Sequence, residues 1–246
     1  MKHFKLRKDL FIEIYGKKLF RIEATKDVEK FDIKKGDLGG YIEKEENLSG
    51  DAWVYGNAWV SGNAKVYGDA RVYGDARVYG DAWVYGDAWV YGNAKVSGNA
   101  KVSGDALVSG DAKVYGDAMV YGDARVYGNA KVYGDARVYG DARVYGDARV
   151  YGDARVYGDA RVYGDAEVSG DKIEKTNDLI NITSNVGSYN ITITPLHIKI
   201  GCQYHSKEAW FNFTDNEIKK MDGENAVKWW KAWKPILKAI CDGVDK

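Results

Sequence analysis

The sequence predicts an all-β solenoid of stacked, very short strands, with a small β cap before it and an α+β module after it. Residues 50–169 repeat a six-residue unit without insertion: Gly, Asp or Asn, Ala, a variable residue, Val, and then Tyr or Ser. A fixed period of this kind indicates a repeat architecture, and six residues suits neither a helix nor a meander. Within each unit Ala and Val share one face of an extended chain, while Gly followed by Asp or Asn breaks the strand. We therefore expect Ala and Val to fill a continuous thin core.

Twenty consecutive units, each with Val and a small Ala two positions before it, resemble the hexapeptide-repeat family of left-handed parallel β-helices, the isoleucine-patch type. The resemblance implies three hexads in each triangular coil. The repeat would then form roughly 6.7 coils, a stack about 32 Å long at ~4.8 Å between strands. The left-handed winding also comes from the resemblance, because the spacing of the residues leaves a right-handed or flattened solenoid open.

If residues three hexads apart stack, the outward variable residues form three ladders, each with a Tyr ladder beside it. We expect Arg71 to stack between Trp53 and Trp89 through cation–π contacts. Face 1 carries Trp53, Arg71, Trp89, Leu107, Arg125, Arg143 and Arg161; face 2 carries Trp59, Arg77, Lys95, Lys113, Lys131, Arg149 and Glu167; face 3 carries Lys65, Trp83, Lys101, Met119, Arg137 and Arg155.

Residues 1–49 are predicted to form an N-terminal β cap and a degenerate first coil. Strand-like runs at 10–15 and 18–24 meet at Gly16, which predicts a hairpin. Ile42 and Leu48 already have the spacing of the repeat valines. The charged residues around them are typical of a terminal cap, which protects an open stack of strands from association.

A second resemblance is carried by GDLGGYIEKEENLSG and the following WVYGNAWVSGNAKVYGDARVYG. Together they are similar to a group of uncharacterised phage and prophage hexapeptide-repeat proteins, over roughly residues 20–170. This resemblance implies a bacterial or viral source and a solenoid, and it implies no established activity.

Residues 171–246 are predicted to form a C-terminal α+β module after a β-helix that spans residues 50–170. The repeat register fails after Ser169, where Glu174 occupies a Val position, so residues 171–180 are interpreted as a polar linker. Strands at 189–194 and 196–202 are expected around Pro195, and a first helix is expected to begin near Ser206.

A second helix is expected from about residue 225 to 241, with Pro235 kinking or restarting it. Helical spacing places its apolar side chains on one side. This apolar side serves as the core of the module or as a plug over the solenoid, with a membrane or partner contact as the alternative. Its members are Ala226, Trp229, Trp230, Trp233, Ile236, Leu237 and Ile240.

Charge and cysteine content limit the partners and the location of the protein. Lys+Arg and Asp+Glu both total 36, which argues against a general nucleic-acid binder held by phosphate contacts. Two cysteines make no disulfide framework, and the N-terminal residues lack the apolar region of a secretory signal. No apolar run is long enough to span a bilayer. We expect a location in the cytoplasm of a bacterial host, with the virion as the alternative.

Enzymes with this fold are frequently CoA-dependent acyltransferases, and the resemblance implies that they use a His on the coil as base. Residues 50–170 contain no His, and His3, His197 and His205 all lie in the flanks. Cys202-x-x-His205 with His197 lacks a fourth metal ligand apart from Cys241, so we interpret these residues as packed Cys and edge His. We predict no catalytic residue, metal or cofactor.

Near-identical repeats supply length and many equivalent contacts, and Tyr, Trp and Arg are enriched at binding hot spots. The sequence thus favours a non-enzymatic binding protein that engages a host macromolecule or an anionic ligand, through a protein partner or self-association. A structural spacer or fibre element of a virion is the alternative, followed by the acyltransferase. The candidate binding residues are Trp53, Arg71, Trp89, Trp59, Trp83, Arg125, Arg143, Arg161, Tyr127, Tyr145, Trp229, Trp230 and Trp233.

Overall fold

In the computed structural model, which describes residues 2–182 and 189–244, the repeat forms a parallel β-solenoid of about seven turns. Each strand pairs in parallel with the strand three hexads away: Arg71 lies between Trp53 and Trp89 in one sheet. The predicted coil of three hexads is therefore confirmed, and so are the three ladders.

Three sheets form the sides of the solenoid, and every repeat strand is two or three residues long. Face 1 contains Trp53–Val54, Arg71–Val72, Trp89–Val90, Leu107–Val108, Arg125–Val126, Arg143–Val144 and Arg161–Val162. Face 2 contains Trp59–Val60, Arg77–Val78, Lys95–Val96, Lys113–Val114, Lys131–Val132, Arg149–Tyr151 and Glu167–Ser169. Face 3 contains Lys65–Val66, Trp83–Val84, Lys101–Val102, Met119–Val120, Arg137–Val138, Arg155–Val156 and Lys172–Ile173.

The core is the predicted column of Ala and Val. Every repeat Ala from Ala52 to Ala166 and every repeat Val from Val54 to Val168 is fully buried. Burying one Val side chain contributes roughly 1.5–3 kcal/mol, so the stack is stabilised along its whole length. Backbone hydrogen bonds join successive coils; for example, the Arg71 N–H donates to the Ala88 carbonyl at 2.9 Å.

Glycine is required at the corners of the central hexads because these corners stack backbone on backbone. Gly104 has φ +66°, and a Cβ there would lie 3.0 Å from the nitrogen of Gly122 in the next coil. A side chain would meet both the left-handed backbone conformation and the neighbouring coil.

The tyrosines after each Val stack on their copies in the next coil. The rings of Tyr67 and Tyr85 lie 4.8 Å apart and nearly parallel, and those of Tyr127 and Tyr145 lie 5.0 Å apart. Such pairs contribute about 0.5–1.5 kcal/mol each beyond the area that they bury. The Tyr ladders are interrupted where Ser replaces Tyr, at Ser61, Ser97, Ser103, Ser109 and Ser169.

The N-terminal residues cap the first coil by extending face 2. Strands Phe4–Ile14 and Lys17–Ala24 form the predicted antiparallel hairpin, and Lys17–Ala24 pairs with Leu38–Ile42. Leu38–Ile42 in turn pairs in parallel with Trp59–Val60. Ile42 and Leu48 are buried, and they pair in parallel with Val60 and Val66. Short 3₁₀ helices at Glu29–Phe31 and Glu45–Asn47 connect these strands.

Residues 171–180 are not the predicted polar linker, because the solenoid continues through them with one residue deleted. Ile173 pairs with Val156, so the repeat distance shortens by one residue and Glu174 leaves the inward position. Ile173 and Leu179 are buried in the solenoid core. A 3₁₀ helix, Thr176–Asp178, lies between them.

The C-terminal module packs two helices on a four-stranded antiparallel sheet. The strands are Ile180–Ile182, Ile191–Ile193, His197–Ile200 and Gln203–Ser206. Helix α1 (Lys207–Asn212) begins where predicted, because the Ser206 hydroxyl caps it by accepting from the Ala209 N–H at 3.1 Å.

Helix α2 (Asp215–Val244) differs from the prediction in where it begins and breaks. The non-helical torsions are at Asp222 and Gly223, whereas Pro235 lies within the helix. Ile236 of the predicted apolar side is 48% exposed, whereas Val227 and Cys241, which the prediction did not include, are buried. In the described ranges no helix combines the length and apolarity needed to cross a bilayer.

A buried carboxylate joins the module to the solenoid. Asp171 is fully buried and accepts from the Thr194 hydroxyl at 2.7 Å and the Leu196 N–H at 3.0 Å. His197 Nδ1 lies 2.7 Å and the Tyr204 hydroxyl 3.0 Å from the same carboxylate. Burial and this negative charge raise the pKa of Tyr204, which therefore stays protonated and donates.

Candidate binding surface

Two tryptophans that were predicted to line the outer surface of the solenoid are buried. Trp53 is 1% exposed because the N-terminal cap covers it, with the His3 ring 5.7 Å away. Trp59 is also buried, and the Tyr79 ring lies 5.6 Å from it. Neither ring presents a surface for a partner. The prediction that Trp53 and Trp59 are binding residues is therefore wrong, because both are buried.

Arg71 makes the predicted cation–π contact with Trp89, but its second contact is with Phe31 and not with Trp53. Its guanidinium lies 4.6 Å from the Trp89 ring and 4.2 Å from Phe31 of the N-terminal cap. On face 3 the ammonium groups of Lys65 and Lys101 lie 5.5 and 5.2 Å from Trp83. Trp83 and Trp89 are each 37% exposed, so these two rings remain on the surface.

The predicted arginine ladder of face 1 follows a column that consists entirely of Asp. Arg125, Arg143 and Arg161 each come two residues after an Asp, and that column holds Asp from residue 51 to residue 159. Lys30 of the cap binds two of these carboxylates, Asp69 and Asp87. Alternating signs of this kind are typical of a solvated face.

A polar groove of about 610 Å³ lies along face 2, a site that the sequence did not single out. Five consecutive cations line it, which we term the cation ladder: Arg77, Lys95, Lys113, Lys131 and Arg149. The column beside the cation ladder alternates between Asn and Asp, which we term the Asn/Asp column: Asn57, Asp75, Asn93, Asp111, Asn129 and Asp147.

Each Asn of this column donates to the Asp one coil further on. Asn93 Nδ2 lies 3.1 Å from Asp111 Oδ1, and Asn129 Nδ2 lies 3.1 Å from Asp147 Oδ1. The amides separate carboxylates that would otherwise stack and repel. They also halve the negative charge beside the cation ladder relative to face 1.

The cation ladder keeps most of its charge uncompensated. Arg149 pairs with Glu167 at 3.3 Å. Among residues 2–182 and 189–244, no carboxylate oxygen lies within 4.0 Å of the ammonium of Lys95, Lys113 or Lys131. The groove therefore presents five cations against the two carboxylates of Asp111 and Asp147.

Stacked tyrosines border the cation ladder on the side opposite to the Asn/Asp column. Tyr115 and Tyr133 lie 4.9 Å apart, and Tyr133 and Tyr151 lie 5.2 Å apart. Desolvation raises the pKa of all three, so each hydroxyl is protonated at neutral pH and can donate.

One sequence signal could have identified this groove. Asn replaces Asp at residues 57, 93 and 129, every second coil of the same column, and the other two columns lack this regular alternation. The content of arginine and tryptophan favours face 1 instead.

Of the tryptophans of α2, Trp230 lies in the core of the C-terminal module, and Trp229 and Trp233 pack against that core. Trp230 is 3% exposed, and Trp229 and Trp233 stack at 5.3 Å. Tyr189 packs edge-on against Trp229 at 5.0 Å. This placement agrees with the interpretation of the apolar side as module core.

The histidines and cysteines are distributed over separate environments. His3 is buried beside the Ala52 carbonyl at 2.9 Å, and burial lowers its pKa. His205 packs edge-on against Trp210 and Phe213. Cys202 is exposed and Cys241 is buried. Within 2–182 and 189–244, no three His, Cys, Asp or Glu side chains gather to hold a metal.

The fold and its stacked ladders define a β-solenoid repeat protein. Comparison with known families gives one match on the repeat, to a model described as YdcK beta solenoid repeat. No curated protein matches the chain. The matched windows are residues 64–80, 70–86, 76–92, 112–128, 124–140, 130–146, 136–152, 142–158, 148–164 and 154–170.

Proposed function

We propose that this β-solenoid is a non-enzymatic binding protein of phage or prophage type that acts in the cytoplasm of a bacterial host. It engages a protein partner that presents a row of carboxylates along face 2. The main support is the cation ladder, with five cations in one register beside a column in which Asn replaces every second Asp.

The dimensions and stiffness of face 2 suit such a partner. At ~4.8 Å between strands, the five cations span about 19 Å. The hydrogen-bonded coils hold the cation ladder and the tyrosines Tyr115, Tyr133 and Tyr151 in place. Pre-ordered Tyr and Arg side chains lose little conformational entropy on binding.

The remaining negative charge favours an acidic protein over a nucleic acid. Asp111 and Asp147 lie in the groove and would repel a continuous phosphate backbone. A protein can place carboxylates opposite the cations and hydrogen-bond donors opposite these two Asp residues. Complementary charge of this kind raises the association rate and selects the partner.

A structural spacer or fibre element is the second candidate. It is supported by the near identity of the coils and by the Tyr ladders, such as Tyr121, Tyr139 and Tyr157, which stack at 4.9 and 5.1 Å. Like-on-like packing of this kind stiffens a rod without any ligand. A spacer would show no selective binding at face 2.

Poly-L-glutamate is the probe for the first candidate, measured by biolayer interferometry on the full chain. The wild type is expected to bind with an affinity that falls as salt rises. The triple variant Lys95→Glu, Lys113→Glu and Lys131→Glu should bind at least roughly tenfold more weakly, since three exposed charge pairs are lost and reversed.

Two matched controls make this test specific. The triple Lys→Arg variant at the same positions retains the charges and should bind like the wild type. Charge reversal of Arg125, Arg143 and Arg161 on face 1 should leave the affinity unchanged. Equal loss in the two Glu triples, or tighter binding of single-stranded DNA than of poly-L-glutamate, would contradict the proposed partner.

Calorimetry with acetyl-CoA separates the binding protein from the acyltransferase. We expect no heat of binding, because the enzymes that the repeat resembles use a His on the coil, and residues 50–170 have none. Saturable binding of acetyl-CoA would contradict the non-enzymatic assignment.

A further inference from the structure

The C-terminal module contains an apolar cavity, which is a different site from the polar groove of face 2. It has a volume of about 180 Å³ and lies between the sheet and the two helices. Four aromatic residues line it, Tyr189, Trp210, Trp229 and Trp230, together with aliphatic side chains such as Ile218. Concave, mostly apolar sites with a few polar groups are the usual form of small-molecule sites.

Two of the tryptophans that line this cavity have an indole N–H without an acceptor. The Nε1 atoms of Trp229 and Trp230 are buried and make no hydrogen bond within the part of the chain that the structure describes. Trp210 lines the same cavity, but its Nε1–H donates to the Ile198 carbonyl at 2.6 Å. A buried donor without a partner is unfavourable and requires an explanation, such as a ligand that supplies an acceptor.

Among the described residues that line the cavity, one carboxylate restricts the charge of a ligand. Asp222 lines the cavity at the point where α2 departs from helical torsions. Its Oδ2 accepts from the Tyr189 hydroxyl at 2.6 Å, and this bond raises the pKa of Tyr189 to about 12. Asp222 repels an anionic ligand, and its other oxygen can accept from an N–H donor.

We propose that this cavity binds a small, neutral, planar heterocycle that accepts a hydrogen bond from the indole of Trp229 or Trp230 and donates an N–H to Asp222. This pairing of acceptor and donor on a flat ring is the chemistry of nucleobases and related lactams. The aromatic walls provide stacking and edge contacts. A cavity of about 150 Å³ accommodates benzene, so the volume here suits one or two rings.

The test uses the full chain labelled with ¹⁵N at tryptophan and titrated with adenine, uracil and toluene. The indole N–H resonances of Trp229 and Trp230 should shift saturably with a base, and that of Trp210 should shift less because it already has an acceptor. The Trp→Phe variants at 229 and 230 assign the two resonances. Toluene, which has neither acceptor nor donor, should bind more weakly than the bases.

Two variants connect the binding to the cavity. Ala226→Leu fills space in the wall and should weaken binding roughly tenfold or more. Its matched control is Ala232→Leu, the same change on the exposed side of α2, which should bind like the wild type. Trp229→Phe keeps the ring and removes one donor, so binding should fall roughly fivefold.

Three results would overturn the proposal. They are the absence of any saturable shift with both bases, equal affinity for toluene and the bases, and wild-type affinity in a folded Ala226→Leu variant. Failure of poly-L-glutamate binding at face 2 leaves these measurements unaffected, because the two sites share no residue.

Discussion

Substituting Gly104 by Ala tests whether the coils stack backbone on backbone. The new Cβ costs about 1–2 kcal/mol for the left-handed conformation at φ +66°. It would also lie 3.0 Å from the nitrogen and 3.3 Å from the Cα of Gly122, atoms that move only if the coil moves. Overpacking of this kind adds about 1–3 kcal/mol. We therefore expect the free energy of unfolding to fall by about 2–5 kcal/mol.

Gly56→Ala is the matched control, because the same repeat position has room for a methyl group. Its φ is +58°, and the nearest atom to the added Cβ is the Gly74 oxygen at 3.8 Å. Only the conformational cost of about 1–2 kcal/mol remains. Ala restricts the unfolded chain equally in both variants, so that effect cancels. Urea unfolding followed by circular dichroism measures both, and equal destabilisation of the two variants would refute the stacking argument.

Three further predictions concern burial, the junction and pH. Trp53→Ala should cost about 3–5 kcal/mol and Trp89→Ala about 1 kcal/mol, because the cap buries only the first ring; equal urea midpoints would contradict this. Asp171→Ala should cost about 3–5 kcal/mol by leaving buried donors unpaired, whereas Asp153→Ala, one coil earlier and exposed, should stay within about 0.5 kcal/mol. Burial lowers the pKa of His3 below 6.5, so the unfolded chain takes up the proton first as the pH falls. The stabilising contribution of buried, neutral His3 is complete above pH 6.5 and declines below it. The free energy of unfolding, measured from pH 7.5 to 5, should therefore depend less on pH in His3→Gln than in the wild type.

The solenoid could be predicted because one local pattern repeats. A single hexad determines which side chains face inward, and each copy reinforces the same register, as Arg71, Trp89 and Leu107 illustrate on face 1. The three-hexad coil came from a resemblance rather than from the residues, and the pairing of strands confirms it.

The errors arose where one residue or one distant contact changes the environment. The single deletion before Ile173 hid the last coil, since a fixed six-residue count places Glu174 inside instead. The burial of Trp53 depends on His3, which packs against it across the cap. In α2 the Asp222–Gly223 pair, not Pro235, interrupts the helix, because only glycine readily adopts φ +74°.

The polar groove of face 2 was missed for a related reason. The residues of the cation ladder were placed on one face by their spacing, but their environment depends on the neighbouring column. Asn93 and Asn129 reduce the local negative charge, and that effect becomes visible only when both columns are compared coil by coil.

The three-hexad coil also limits how such a gene can change length. Loss or gain of three hexads, for instance by slippage among the near-identical copies from residue 135 to 163, removes or adds one whole coil and leaves every face in line. Loss of one hexad would rotate all later side chains by a third of a turn, so that Arg125 and its successors would continue a different face. Viable length variants should therefore differ by multiples of three hexads.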